Sequence, residues 1–473
     1  MGSGSSRKVD VSPYLIQCFT DAHEGGVACL GVSRDSTLVA TGGEDFLAKV
    51  WHVAKPDAEA LKCICKGHKG YILSLRIFDE FLVTASDDKT LRKWDIENDG
   101  EFILEYSGHK AAVNNFILTD DYLLSSSYDK TIRWWQFVTG ECLKVFEGHK
   151  RSVTPLLFIP AKSNQEDDAP DMHDASEDDM FVSGSSDGCA KLWSLDNARC
   201  VRTFAGHESA VVCLETENSH EILFTGSLDN TVRSWVLETG EPLKTFSGHS
   251  APIVHIKVLN KLLFTASSDG TARSWITEFG DCTRTYKGHT RPLICFALSN
   301  GIIYTGGGDG TVRAFDVKSG VQKRLFGGHA GAVNAIAILP NGRIFSGSND
   351  GCLIIWDSIG IKSDQALRED RKNKLNSKNE NEPGSSKENS PLDGSANSRM
   401  GGKASPDVAI DIDSRASSQQ RTPLGSQPPP QQRPKGGSPV APIGYIPPEK
   451  QSGKKPAAGS KSIPMADLDD EFD

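Results

Sequence analysis

The stretch Phe224–Trp235, FTGSLDNTVRSW, sets a Thr, an Asp and a Trp at fixed offsets, and His207 lies upstream of it. Ser or Thr, His and Asp are also the components of a hydrolytic triad. The first question is therefore whether these residues form an active site or serve the fold.

The same four residue types recur eight times along the chain, which is the signature of a repeat architecture. Eight histidines are spaced 40 to 58 residues apart: His23, His68, His109, His149, His207, His249, His289 and His329. An Asp follows each of them: Asp45, Asp88, Asp129, Asp187, Asp229, Asp269, Asp309 and Asp350. Four residues before each Asp stands Ser or Thr: Thr41, Thr84, Ser125, Ser183, Thr225, Thr265, Thr305 and Ser346. Six residues after each Asp stands an aromatic residue: Trp51, Trp94, Trp135, Trp193, Trp235, Trp275, Phe315 and Trp356.

The recurrence indicates a structural role, because a catalytic triad is assembled once per site rather than eight times. Each repeat is also predicted to contain four short strands that are rich in β-branched and apolar residues. In the fifth repeat the predicted strands are Val211–Thr216, Glu221–Ser227, Thr231–Leu237 and Pro242–Phe246, with turn residues between them. Four strands in about 40 residues form one blade of a β-propeller.

Over roughly Tyr14 to Asp357 the chain resembles the WD40-repeat family. The resemblance is carried by a Gly before seven of the eight His (Ala22 precedes His23) and by the Trp-Asp pairs Trp94-Asp95 and Trp356-Asp357. It implies that indole, hydroxyl, imidazole and carboxylate form a hydrogen-bonded chain, here called the tetrad, inside each blade. Phe315 cannot donate the indole hydrogen bond, so we expect the seventh blade to have the weakest tetrad.

The ends of the repeat array predict how the ring closes. A strand-like run, Tyr14–Thr20, precedes the first repeat, and no fourth strand follows Asp357. If the early strand completes the last blade, the fold is a single eight-bladed β-propeller of the all-β class with no open edge. Seven blades with one displaced repeat is the alternative.

Composition divides the chain into a propeller at 14–357, a flexible N-terminal segment at 1–13 and a low-complexity tail at 358–473. The tail is rich in Ser, Pro, Gly, Asn and Gln and is predicted to be disordered. The fourth repeat carries an insertion, 161–180, with eight acids against one Lys, on the face opposite the His-bearing loops. This insertion is either a solvated spacer or an acidic docking segment. The chain ends in IPMADLDDEFD, 463–473, for which the same two interpretations apply.

Several function classes are excluded by composition and motif. A net charge of −10 argues against nucleic-acid binding, which needs a basic surface. The Gly-rich YTGGGDGT at 304–311 lacks a Lys in phosphate-loop register. The eleven Cys show no zinc spacing, and we expect them to be reduced thiols. We therefore predict no enzyme, no metal site and no cofactor.

The predicted function is a protein-interaction scaffold that binds peptide segments or protein partners on one propeller face. We expect an intracellular, cytoplasmic monomer. A substrate receptor of a ubiquitin ligase is the alternative. Two features disfavour it: too few residues precede the first strand for an F-box, and neither Trp-Asp pair is followed two residues later by Arg.

The family resemblance also implies which residues contact a partner. They lie at the third and fifth positions after each His and directly before each Asp. The candidates are Tyr71, Leu73, Tyr128, Val212, Leu228, Pro252, Val254, Pro292 and Ile294. The charged residues at these positions are Glu44 and Asp87, with no Lys or Arg, so an apolar or aromatic peptide fits better than a phosphopeptide. The alternative is that several of these side chains only pack the strand ends.

The N-terminus, MGSGSSRK, matches the N-myristoylation pattern at Gly2, with two basic residues after it. One acyl chain gives only weak, reversible membrane contact. A membrane contact through a myristoyl group is therefore expected to be weak.

Overall fold

The computed structural model describes residues 13–55, 57–160 and 179–361. Gly2, most of the insertion at 161–180 and the tail beyond 361 lie outside the described residues. The described residues form thirty-two β-strands and one four-residue helix.

The strands group into eight blades of four. An early strand, β1 (Leu15–Phe19), precedes the first blade. Blade 1 contains β2 (Val27–Val32), β3 (Leu38–Gly43), β4 (Ala48–His52), α1 (Asp57–Ala60) and β5 (Leu61–Cys65). Blade 2 contains β6 (Ile72–Phe78), β7 (Phe81–Ser86), β8 (Leu91–Asp95) and β9 (Glu101–Tyr106). Blade 3 contains β10 (Val113–Leu118), β11 (Tyr122–Ser127), β12 (Ile132–Gln136) and β13 (Cys142–Phe146), and blade 4 contains β14 (Val153–Ile159), β15 (Met180–Ser185), β16 (Cys189–Ser194) and β17 (Cys200–Ala205). Blade 5 contains β18 (Val211–Thr216), β19 (Ile222–Ser227), β20 (Val232–Val236) and β21 (Pro242–Phe246), and blade 6 contains β22 (Ile253–Leu259), β23 (Leu262–Ser267), β24 (Ala272–Ile276) and β25 (Cys282–Tyr286). Blade 7 contains β26 (Leu293–Ser299), β27 (Ile302–Gly307), β28 (Thr311–Asp316) and β29 (Gln322–Gly327). Blade 8 contains β30 (Val333–Ile338), β31 (Arg343–Ser348) and β32 (Leu353–Asp357), and β1 is its fourth strand.

Each blade is an antiparallel sheet whose first strand lies innermost. The innermost strands of successive blades contact one another around the axis, and β30 of blade 8 contacts β2 of blade 1. The prediction of a single eight-bladed ring is confirmed, and the seven-bladed alternative is wrong. The strands predicted for the fifth repeat agree with β18 to β21 to within one residue at each end.

The ring closes through β1, which pairs antiparallel with β32 and supplies the outermost strand of blade 8. Cys18 lies opposite Ile354 and Phe19 opposite Leu353. The carbonyl of Tyr14 accepts a hydrogen bond from the Asp357 amide at 2.9 Å. Both ends of the ring are thus held in one sheet.

The hydrophobic core lies between neighbouring blades. One cluster joins Val83, Leu91 and Tyr106 of blade 2 to Phe116 and Trp135 of blade 3. The second strand of every blade is almost entirely buried, since adjacent blades cover both of its faces, whereas the outermost strands alternate or face solvent.

The end of the ring extends slightly beyond the Trp-Asp pair of blade 8. Ser358 is buried, and its amide donates to the carbonyl of Gly342 at 2.9 Å. Ile361 packs against the cluster between blades 7 and 8. The described chain therefore stays on the ring up to residue 361.

Deleting residues 1–20 is expected to lower the melting temperature and to promote aggregation, because β32 then presents an unpaired edge. Deleting residues 1–12, which keeps β1, is the matched control and should change neither property. Differential scanning fluorimetry and light scattering measure the two effects. A 1–20 deletion that is as soluble and stable as the control would contradict closure through β1.

Candidate functional site

The tetrad of the fifth blade shows how four chain segments meet. The Trp235 indole donates to Thr225 Oγ1 at 2.9 Å, and Thr225 Oγ1 lies 2.7 Å from His207 Nε2. His207 Nδ1 lies 2.7 Å from Asp229. Because an indole N–H can only donate, the Thr225 hydroxyl accepts its hydrogen bond. Nδ1–H of His207 donates to the Asp229 carboxylate, which can only accept when it is ionised.

The structure repeats the two His contacts of this arrangement in every blade. The His Nε2 to hydroxyl distances are 2.7 or 2.8 Å throughout. Each His Nδ1 contacts its Asp at 2.7 to 3.2 Å: His23–Asp45, His68–Asp88, His109–Asp129, His149–Asp187, His207–Asp229, His249–Asp269, His289–Asp309 and His329–Asp350. The indole bond is present in seven blades, at 2.7 to 3.0 Å.

Each Asp is held ionised by surrounding donors. In blade 2, the amides of Lys69 and Thr90 donate to Asp88 at 2.9 and 3.0 Å, besides the His68 ring. Burial opposes ionisation of Asp88, but the hydrogen bond and the electrostatic attraction of His68, the Lys69 amide and the Thr90 hydroxyl outweigh it and hold its pKa well below the usual range. The same balance lowers the pKa of Asp187 and Asp309 to about 2.

The tetrads serve the fold rather than catalysis. Their Ser and Thr residues are at most 1% exposed, so no substrate reaches the oxygen that a nucleophile would use. That oxygen is also occupied by the indole donor in seven blades. The polar chain instead pins the loop that carries each His to the turn that carries each Asp.

The seventh blade differs as expected from its sequence. Phe315 occupies the position of the indole and is buried at 1% exposure. Gly307 stands where blade 5 has Ser227, whose hydroxyl bonds the Asp229 amide at 3.1 Å. The network of blade 7 therefore has two fewer members.

The candidate partner residues lie on the face formed by the loops that carry the eight His, here called the His-loop face. Leu73, Val212 and Ile294 line an axial cavity of about 380 Å³. Around it, Tyr71, Tyr128, Leu228 and Pro252 are half-buried, Pro292 is exposed, and the backbone of each pairs across its own blade. These eight candidates come from five of the eight blades and leave apolar side chains accessible near the axis.

Val254 is the exception among the nine. It is 5% exposed and packs with Phe264, Tyr286 and Leu293 between blades 6 and 7. His255, the next residue, lines the axial cavity instead. Val254 is therefore a core residue, because its neighbours in the next blade cover it.

The structure adds two residues that sequence reasoning missed. Phe46, which is 40% exposed, lies 5.6 Å from Tyr71 between ring centroids. The sequence feature that marks Phe46 is an aromatic residue directly after Asp45, where the other repeats have Lys, Asn or Gly. Asn114 lines the axial cavity, and neither atom of its buried amide has a hydrogen-bond partner within the described residues.

The described residues give no indication of a metal site. Within them no group of three His, Cys, Asp or Glu side chains is placed to hold a cation. The helix in this part of the chain is four residues long, so it cannot cross a bilayer.

Comparison with known proteins agrees with the repeat geometry. The family model "WD domain, G-beta repeat" matches residues 14–52, 60–95, 100–136, 140–194, 198–235, 240–275, 280–316 and 320–357. These ranges correspond to the eight repeats that the tetrads define.

Individual relatives are distant. Mitochondrial division protein 1 of Vanderwaltozyma polyspora is 27% identical over 238 residues, covering 45% of this chain and 26% of that protein. The protein of the same name from Schizosaccharomyces pombe is 31% identical over 226 residues, covering 42% and 34%. This chain thus aligns with about a quarter to a third of these relatives. The crystal structure of the computationally designed Ika8 protein matches with a TM-score of 0.61 and 25% identity, over 71% of this chain and 98% of that one.

Asp229→Ala is expected to lower the free energy of unfolding by about 1–3 kcal/mol, because it leaves His207 without its acceptor. Asp309→Ala should cost less, since Phe315 and Gly307 have already shortened that network. Urea titration of both variants measures the difference. Equal losses would show that the indole and the Ser hydroxyl add nothing to the tetrad.

Proposed function

The chain belongs to the WD40-repeat family, and from this we propose that it is a non-catalytic scaffold that binds peptide segments of protein partners on its His-loop face. The observation that carries the proposal is the separation of two residue sets. The polar tetrads are buried and engaged with one another, whereas the apolar residues beside them remain accessible around the axis.

The accessible residues favour an apolar or aromatic peptide. Leu73, Val212 and Ile294 offer aliphatic surface in the axial cavity, and the Phe46–Tyr71 pair adds aromatic surface on the same face. Such clusters of apolar anchors supply most of the binding energy in peptide recognition. Since these positions include no Lys or Arg, a phosphate group would lack a charged partner among them.

The remaining properties are proposed from composition. A net charge of −10 supports protein rather than nucleic-acid partners. We propose an intracellular, cytoplasmic monomer. The eight repeats, the insertion in the fourth and the Phe315-Asp316 pair also resemble WD repeat-containing protein 86, which we propose as the narrower relationship.

A substrate receptor of a ubiquitin ligase is the alternative function. It would require a ligase adaptor as a second partner. Neither Trp-Asp pair carries the Arg that marks such receptors in some relatives. Recovery of ligase subunits in the capture experiment below would favour this alternative.

Tyr71→Ala and Leu228→Ala are expected to reduce partner capture several-fold while the melting temperature stays nearly constant, since both side chains are only half-buried. Affinity purification of the full chain from cells, with quantitative mass spectrometry, measures capture. Phe279→Ala is the matched control, because Phe279 is 62% exposed in the turn at the opposite end of its blade. Unchanged capture by both the Tyr71→Ala and the Leu228→Ala variant would place the partner site elsewhere.

We also propose that Gly2 is N-myristoylated and gives the chain weak membrane contact. The pattern Met1-Gly2 with Ser6 supports acylation, and Arg7 and Lys8 add attraction to an anionic surface of about 1 kcal/mol each. Intact-mass spectrometry of protein made in eukaryotic cells should show a myristoyl adduct that Gly2→Ala abolishes. An unmodified mass with Gly2 at the N-terminus would end this proposal.

A further inference from the structure

Exposed cations cluster on one sector of the His-loop face. Three adjacent blades present six of them, here called the basic sector: Lys69, Lys89, Lys110, Lys130, Lys150 and Arg151. They follow the His or the Asp of blades 2, 3 and 4. At the same positions blades 5, 6 and 8 have no cation, and blade 7 has Arg291.

The charges of the basic sector are not neutralised within the described residues. None of the six side chains forms an ion pair with an acid of residues 13–55, 57–160 or 179–361. The exposed acids of the sector are Asp87 and Glu147. The half-buried, ionised Asp88, Asp129 and Asp187 of the tetrads bring the acids to five against six cations, so the sector keeps a net positive charge. The backbone fixes its geometry, since Lys89 and Lys130 adopt left-handed φ values of 76° and 74°.

Unpaired polar atoms lie in the middle blade of this sector. Asn114 is 9% exposed, and its amide nitrogen and oxygen are both buried without a partner among the described residues. The hydroxyl of Tyr128, in the same blade, is also buried and unpaired there. A carboxamide can donate to and accept from one peptide group, so these atoms suit an incoming main chain.

The chain itself contains a segment with complementary chemistry. Its residues 463–473 carry five carboxylates among the last seven residues, interleaved with Met465, Leu468 and Phe472. The carboxylates are opposite in charge to the basic sector. The apolar side chains of the segment can pack against Leu73 and Val212, which line the axial cavity. Residues 362–462 provide a contour of at most about 360 Å, far more than the ~20 Å strand length that separates the two faces.

We propose that the acidic segment Ile463–Asp473 docks in cis on the basic sector, with its main chain at Asn114 and Tyr128, and thereby competes with partner peptides. The competition rests on the proposed function of the His-loop face; the docking itself does not. Tethering raises the effective concentration of the segment, so even a weak contact occupies the site. The contact weakens with ionic strength, because its charges are solvent-exposed.

The test uses the full chain and a fluorescein-labelled peptide of sequence IPMADLDDEFD. A vacated variant carries Asp467→Asn, Asp469→Asn, Asp470→Asn, Glu471→Gln and Asp473→Asn. Fluorescence anisotropy should show that the peptide binds the vacated variant at least ten-fold more tightly than the unaltered chain. Equal affinities, or no binding to either chain, would overturn docking in cis.

Further variants locate the contact. In the vacated chain, Lys110→Glu with Lys130→Glu should weaken peptide binding at least ten-fold, and Lys244→Glu with Lys318→Glu, which lie outside the sector, should not. Asn114→Leu should also weaken binding while the melting temperature stays equal or rises, because it removes an unpaired buried amide. Insensitivity to the sector variants, or affinity that depends on a second copy of the chain, would refute the proposal.

This readout contains no partner protein. Failure of peptide binding therefore leaves the capture experiment with Tyr71→Ala and Leu228→Ala intact. Conversely, unchanged capture in those variants would leave the docking of the acidic segment standing.

Discussion

The structure depends on one constraint: a polar group that is buried in a blade must find a partner there. Each blade buries a Ser or Thr hydroxyl and a His ring between apolar strands, where an unpaired polar atom is costly. The indole and the carboxylate complete the chain at its two ends. Because the four groups come from a loop, two strands and a turn, satisfying them fixes the blade's backbone. Each of the eight blades pairs its buried His ring with the same two contacts, a hydroxyl and a carboxylate.

A ring imposes a second constraint, since each blade is stable only against its neighbours. The first and last blades meet through Val39 and Trp51 on one side and Phe345 and Ile355 on the other. The polypeptide chain also crosses this seam, because β1 belongs to the sheet of blade 8 and the chain then continues into β2 of blade 1. Opening the ring would therefore require breaking a sheet as well as an apolar interface.

The sequence predicts what is local and periodic, and it fails where burial depends on the next blade. The eight-fold recurrence of the spacing of His207, Thr225, Asp229 and Trp235 predicts the tetrad positions. The strands follow from the apolar runs and turn residues between them, and the eighth blade follows from the strand-like run Tyr14–Thr20. The position of Val254 matches that of Leu73 within its blade, yet Val254 is covered by residues of blade 7 that no spacing rule includes. Asn114 is similar: its unpaired amide is evident only when every surrounding group has been placed. The expectations for residues outside the described ranges stay predictions from composition.

The tetrads also explain why the His-loop face can be chemically specific. The residue that follows each His donates its backbone amide to the carboxylate, as Lys110 does at 2.9 Å in blade 3. The residue that follows the Asp of that blade, Lys130, donates its amide to the carbonyl of Ser127 at 3.3 Å. Their backbone is constrained, but their side chains project into solvent and contribute little to the blade. Charge at these positions can therefore vary from blade to blade at small cost in stability. The basic sector of blades 2 to 4 is one such pattern, and it is carried on the same backbone that presents uncharged side chains in blades 6 and 8.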